Sequence, residues 1–181
     1  MKKFNPVFVV CICMMLFNGT ITRATNYYVN DGSLTGDIHT SAVGNNSNNG
    51  TSLASPKATL TNLWNTYGPS GTNAITSGDI IYVDAGSYVA SDANLALSVS
   101  GISIIGAGST LTFFDNNQIS TDANRWANIT GTNITIQGIY LTGYNYGLGG
   151  ASALNISGAS NITITDVEVS ENASGGGSSA I

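Results

Sequence analysis

Apolar and polar residues alternate in short bursts along this chain, and two of the bursts nearly repeat. NITIQGIYLTG begins at Asn133 and NITITDVEVSE at Asn161, 28 residues apart (161 − 133). In each copy two apolar residues alternate with polar ones, a two-residue break follows, and an apolar-x-apolar triplet closes the burst. Alternation with a period of two predicts a strand with one buried face. The break is Gln137-Gly138 in one copy and Thr165-Asp166 in the other. Gly and Asp both suit a tight bend, Gly because it tolerates positive φ. Each copy therefore reads as strand, bend, strand.

A third short strand precedes each copy, in WANIT ending at Thr130 and in ALNIS ending at Ser157, and glycine-rich linkers follow. A unit of about 28 residues is too small to bury its own apolar face, so units must stack. Stacking sets Ile134 over Ile162, Ile136 over Ile164, Ile139 over Val167 and Leu141 over Val169. A less regular earlier unit offers Leu97 and Val99, then Ile102 and Ile104, a corner at Gly106, then Leu111 and Phe113 inward; before it come Ile81 and Val83. The expected fold is all-β: a solenoid of stacked parallel strands. An antiparallel sandwich also uses short strands, but it requires neither the fixed period nor the matching corners.

One segment breaks the strand pattern. In SPKATLTNLWNTYG, Leu60, Leu63, Trp64 and Tyr67 share one face of a helix. Ser55 is its expected N-cap, Pro56 and Lys57 lie in its first turn, and Gly68 ends it. Such a helix would close the first rung, whose strand edges and apolar columns need a cover.

The N-terminus adds a location. Lys2 and Lys3, the apolar run Val7 to Phe17 and the small residue Ala24 read as a secretory signal peptide. The expected organisation is a signal peptide over 1–24, an N-terminal segment with the capping helix over 25–76, and β-helix rungs over 77–181, the last cut short where GGSSAI aligns with GGASAL from Gly149. A secreted or cell-surface protein with no membrane-spanning segment after signal removal follows. Both cysteines, Cys11 and Cys13, lie in the leader, so the rest has neither disulfides nor thiolate metal sites. Beyond Ala24 the charge is −8 (2 − 10), with Lys57 and Arg125 as the strong bases. That argues against nucleic acid and anionic lipid as partners.

YYVN at Tyr27, GNNSNNGTSLASPKATL from Gly44 and SGDIIYVDAGSY from Ser77, in this order, resemble the N-terminal signature of secreted right-handed parallel β-helix proteins of the pectin-lyase-like superfamily. The match departs from the family pattern in the extra DGSLTGDIHTS from Asp31 and in Asn46, where Asp is usual. The resemblance implies extracellular polysaccharide as partner. It also implies calcium, by analogy with lyases in which clustered Asp hold that ion and a Lys or Arg abstracts a proton. No organic cofactor is implied.

Residues for that chemistry are scarce. Lys57 sits by the helix and Arg125 reads as a solvated arginine. Asp115 and Asp122 are separated by a polar loop, Asp166 belongs to a bend, Glu168 points outward and Glu171 ends a strand. Asp31 and Asp37 lack the calcium-loop pattern, and His39 stands without a second His or Cys. No catalytic, cofactor-binding or metal residue is assigned. Binding has better candidates. With Ile139 and Leu141 inward, Tyr140 faces out; Tyr144 and Tyr146 follow it, and Trp126 flanks a strand. Flat rings beside Asn and Thr suit a sugar, which offers an apolar face and hydroxyls, although such rings also pack over neighbouring turns. Two functions stay open: a glycan- or surface-binding scaffold, and the N-terminal part of a polysaccharide lyase or hydrolase whose catalytic rungs come later.

Overall fold

The computed structural model describes residues 23–89, 94–117, 125–144 and 152–170, with the backbone only at Val89. Within them the regular structure is almost all strand, with one helix, and every strand pairing is parallel. The order is β1 (Asn26–Val29), α1 (Leu60–Tyr67), β2 (Ile80–Val83), β3 (Gly86–Val89), β4 (Leu95–Leu97), β5 (Ser103–Gly106), β6 (Thr112–Asp115), β7 (Ala127–Ile129), β8 (Ile134–Thr142), β9 (Leu154–Ile156) and β10 (Ile162–Ser170).

Three columns of strands result. The first runs β1-β2-β5, then the first half of β8, then that of β10. The second runs β3-β6, then the second halves of β8 and β10. The third is β4-β7-β9. β8 joins the first two columns because it bends in mid-strand at Gly138, where φ is +68°. The equivalent Asp166 of β10 has φ +49°. Both bend residues named from the sequence therefore hold positive φ. In the preceding unit that role falls to Gly108 (φ +136°) rather than Gly106. Gly106 is needed for another reason: a Cβ there would collide with the carbonyl of Gly138 in the next unit.

The core is built from in-register columns. Tyr27, Ile81, Ile104, Ile136 and Ile164 align successively, as do Tyr88, Phe114, Leu141 and Val169. The four contacts expected between the two copies, from Ile134–Ile162 to Leu141–Val169, all occur. Ile134, Ile136, Ile139 and Leu141 are fully buried, whereas their β10 partners are half-buried against the core. Asparagines stack outside it: Asn161 Nδ2 donates to Asn133 Oδ1 (3.0 Å), and Asn155 Nδ2 donates to Asn128 Oδ1.

Two local expectations are corrected. In STLTFF the inward residues are Thr112 and Phe114, not Leu111 and Phe113; Leu111 is 40% exposed. Both faces of that run carry apolar residues, so its alternation is ambiguous. Pairing with Tyr88 and Leu141 selects Phe114 for the core. The helix also begins later than expected, at Leu60, with Thr59 as N-cap accepting from the Asn62 N–H (3.2 Å). Pro56 and Lys57 cannot be helical because the chain there is extended beside β1. Lys57 N–H donates to Tyr28 O (3.0 Å) and Asn30 N–H to Lys57 O (2.9 Å). This segment thus covers the free edge of β1. The apolar face of α1 is as expected: Leu60, Leu63 and Trp64 are buried, Tyr67 packs on Tyr27 (5.1 Å between ring centroids), and Gly68 N–H closes the helix on Trp64 O (2.7 Å). Among the described residues no helix is long and apolar enough to cross a membrane.

Candidate functional site

The outward side chains of the second column line a cleft of about 460 Å³ formed by Ser87, Phe113, Asp115, Asn117, Tyr140, Thr142 and Gly143. Strand register assembles it. Ser87, Phe113, Tyr140 and Glu168 align from one unit to the next, and beside them Asp115, Thr142 and Ser170. Because alternate residues point to opposite faces, burial of Phe114 and Leu141 puts Phe113, Asp115, Tyr140 and Thr142 outside together. The Phe113 and Tyr140 rings meet edge to face, with centroids 5.5 Å apart and planes at 84°. Edge-to-face contact is a favoured aromatic arrangement. The hydroxyls of Tyr140 and Ser170 share a hydrogen bond, which fixes the Tyr140 ring along the strand face.

Two turns close the ends of the cleft. At Asn117 φ is +52°, and its N–H donates to Asp115 Oδ1 (2.7 Å), so the amide folds back beside the carboxylate. At Gly143 φ is +70°, which carries the chain away after Thr142. Between Asp115 and Asn117, Asn116 is fully buried and its N–H donates to Thr142 O (3.0 Å), locking the two units together at this point. The arrangement offers two rings, hydroxyls from Ser87 and Thr142, an amide and one carboxylate.

Of the three aromatic residues expected to touch a ligand that lie among the described residues, Tyr140 alone reaches this cleft. Trp126 is fully buried, its ring 5.3 Å from that of Phe114. It lies one residue before β7, outside the alternation that turns Asn128 outward, and packs into the interior beside Ala127 and Ile129. Tyr144 is 3% exposed and belongs to the core, since the turn at Gly143 swings it inward. Tyr146 lies outside the described residues. The sequence does not point to Ser87, Phe113, Asp115, Asn117 or Thr142 as lining residues: alternation places Phe113 in the core, and the polar residues share a surface only through their placement around Tyr140.

The remaining ionisable candidates serve the fold. Lys57 is buried, and its ammonium donates to the carbonyls of Asn46 (3.0 Å) and Asn48 (2.9 Å); burial pulls it below the usual lysine range. Asn46 Oδ1 accepts from the N–H groups of Ala58 (3.0 Å) and Thr59 (3.2 Å) at the helix start. Asp166 accepts from the hydroxyl (2.7 Å) and N–H (3.2 Å) of Ser109, tying one bend to another. Arg125 precedes β7, its backbone paired with Asn94. Asp122 and Glu171 lie outside the described residues.

The loop over residues 31–43, which contains DGSLTGDIHTS, is held by a buried carboxylate. Asp84 Oδ1 accepts from the N–H groups of Ile38 (2.7 Å) and Ala85 (2.9 Å). Its Oδ2 accepts from the N–H groups of His39 (2.9 Å) and Thr40 (2.6 Å) and from the Thr40 hydroxyl (2.8 Å). Burial by itself pushes this carboxyl up, but the hydrogen bonds outweigh it and hold Asp84 below the usual carboxylate range. Asp37 goes the other way. Burial raises it, and the nearby charges of Asp84 and Asp31 add to that, against hydrogen bonds from Asn30 and Thr40. His39 packs on Tyr82, with centroids 4.8 Å apart. Among the described residues no three His, Cys, Asp or Glu side chains converge as a metal site.

The chain was compared with protein-family models, with curated proteins and with solved structures, and it matches none of them.

Proposed function

We propose that this chain forms rungs of a secreted right-handed parallel β-helix of the pectin-lyase-like kind, and that it binds a glycan chain along the outward face of its second strand column. The observation that carries the binding reading is the cleft in which Phe113 and Tyr140 stand beside Asp115, Asn117 and Thr142. A sugar ring has an apolar face that packs on an aromatic ring and hydroxyls that need donors and acceptors, and both requirements are met within one concave surface. In-register strands present equivalent positions at about 4.8 Å steps, so an elongated ligand can run across several of them. The β-helix reading is supported by the three parallel columns, the recurrent bend at Gly108, Gly138 and Asp166, and the helix packed at the first strand. Secretion rests on the leader-like pattern of residues 1–24.

The test is affinity electrophoresis of the protein through gels containing plant and algal polysaccharides. Retardation by at least one of them is expected. It should be lost in Phe113→Ala/Tyr140→Ala, with the far-ultraviolet circular dichroism unchanged. Equal retardation of the variant, or no retardation in any gel, would remove the cleft from a glycan-binding account. Shortening of the polysaccharide during the run would move the reading from binding to lyase or hydrolase activity.

A further inference from the structure

Resting on the glycan reading above, we infer that the cleft selects uncharged glycans and rejects uronate- and sulfate-bearing ones, with Asp115 as the residue that discriminates. Asp115 lies in the lining, and Asn117 N–H donates to its Oδ1 (2.7 Å), which orients the carboxylate. Glu168 is exposed on the strand that follows Tyr140, in register with it. A ligand lying over Phe113 and Tyr140 therefore passes one carboxylate and approaches a second.

A cleft that accepts an anionic polymer needs positive charge beside it, from side chains or from a metal ion; this chain has few basic side chains to offer, and among the described residues no three carboxylates converge to hold a metal. Of its five Lys and Arg residues, Lys2, Lys3 and Arg23 precede Ala24, leaving Lys57 and Arg125 for the whole of the remaining chain. Lys57 is 4% exposed, with its ammonium committed to the Asn46 and Asn48 carbonyls. Arg125 leads into β7, in the third column. Neither residue lines the cleft. The lining instead supplies what a neutral sugar uses: hydroxyl groups donate to a carboxylate, while Asn117 and Thr142 donate and accept in turn. A uronate at the same place sets like charges within a few ångströms, and desolvation in the cleft strengthens their repulsion. Rejection by unpaired like charge is a recognised source of specificity, distinct from attraction to the favoured ligand.

The experiment uses pairs of polysaccharides that share a backbone and differ chiefly in charge: glucomannan and a β-glucan beside their C6-carboxylated forms, and methyl-esterified polygalacturonan beside the de-esterified polymer. Dissociation constants are measured at low salt and at about 0.5 M salt, where screening shortens electrostatic reach to a few ångströms. For any neutral polymer that binds, the charged partner should bind at least about tenfold more weakly at low salt, and the gap should narrow as salt rises. Asp115→Asn should narrow the low-salt ratio several-fold, whatever it does to the neutral polymer. Equal or tighter binding of the charged partner would overturn the inference and leave glycan binding standing. An unchanged ratio in Asp115→Asn would remove Asp115 as the discriminating residue. Failure of every polymer to bind would end both the inference and the reading it rests on.

Discussion

Ile136 shows how much one position in this chain can carry. It is fully buried in register between Ile104 and Ile164, so its side chain touches apolar neighbours from the units before and after it. One residue away, Thr135 is half-buried on the opposite face, between Ser103 and Thr163. Ile136→Asp would leave an uncompensated charge where no water reaches, a loss of more than about 4 kcal/mol. Thr135→Asp exchanges one solvated polar group for another and should cost about 0.5 kcal/mol. Urea denaturation of the two variants checks the assignment, and similar midpoints would contradict it. The same alternation separates Phe113 from Phe114, with the difference that neither the composition nor the spacing of that run says which of the two is inside.

Among the elements, the loop over residues 31–43 depends most visibly on chemistry at a distance. Its backbone donors at Ile38, His39 and Thr40 converge on Asp84, which also accepts from its neighbour Ala85. Asn30 pins the loop at a second point, its Nδ2 donating to Ser33 O (3.1 Å) and Ala42 O (3.0 Å). Because Asp84 is depressed in the folded state, its contribution is fully present above the unfolded carboxylate range and is lost as pH falls through the folded value. Asp37 is raised, so acidification from neutrality first protonates it and adds stability. The urea midpoint should therefore rise slightly on mild acidification and fall on further acidification. Asp37→Asn should abolish the rise. Asp84→Ala, which removes the shared acceptor of four N–H groups and the Thr40 hydroxyl, should lower stability by on the order of 3 kcal/mol at neutral pH and flatten the acid fall. An acid limb in Asp84→Ala as steep as in the parent would show that another carboxylate governs it.

At the scale of the whole molecule, stability is passed from one unit to the next. β8 pairs with β5, β6 and β10, and its inward side chains are fully buried, whereas Ile162, Ile164, Val167 and Val169 of β10 are only half covered. Amide hydrogen exchange should be slowest at Ile104, Ile136 and Leu141 and measurably faster along β10, since local opening follows the burial of apolar contacts. Uniform protection across β5, β8 and β10 would mean that the units open together. At the other end, α1 and the extended strip around Lys57 shield β1 and should keep its amides protected.

What the sequence determined by itself was the local and the periodic. Alternation in NITIQGIYLTG and NITITDVEVSE named the strands, the residues that face in and the residue that bends, because side-chain direction in a strand has a period of two and positive φ favours Gly and a few polar residues. The apolar face of α1 was legible for the same kind of reason. Packing settled the positions for which neighbouring chain segments compete. Pro56 and Lys57 gave up a helical start to pair with β1. Phe114 rather than Phe113 entered the core because Tyr88 and Leu141 were already in its column. Trp126 and Tyr144, apolar enough to be exposed or buried, went inside where the interior had room for a ring. The cleft belongs to this second class: Ser87, Asp115, Asn117, Tyr140 and Thr142 are spread over more than fifty residues of sequence, and strand register, with the turn at Asn117, brings them to one surface.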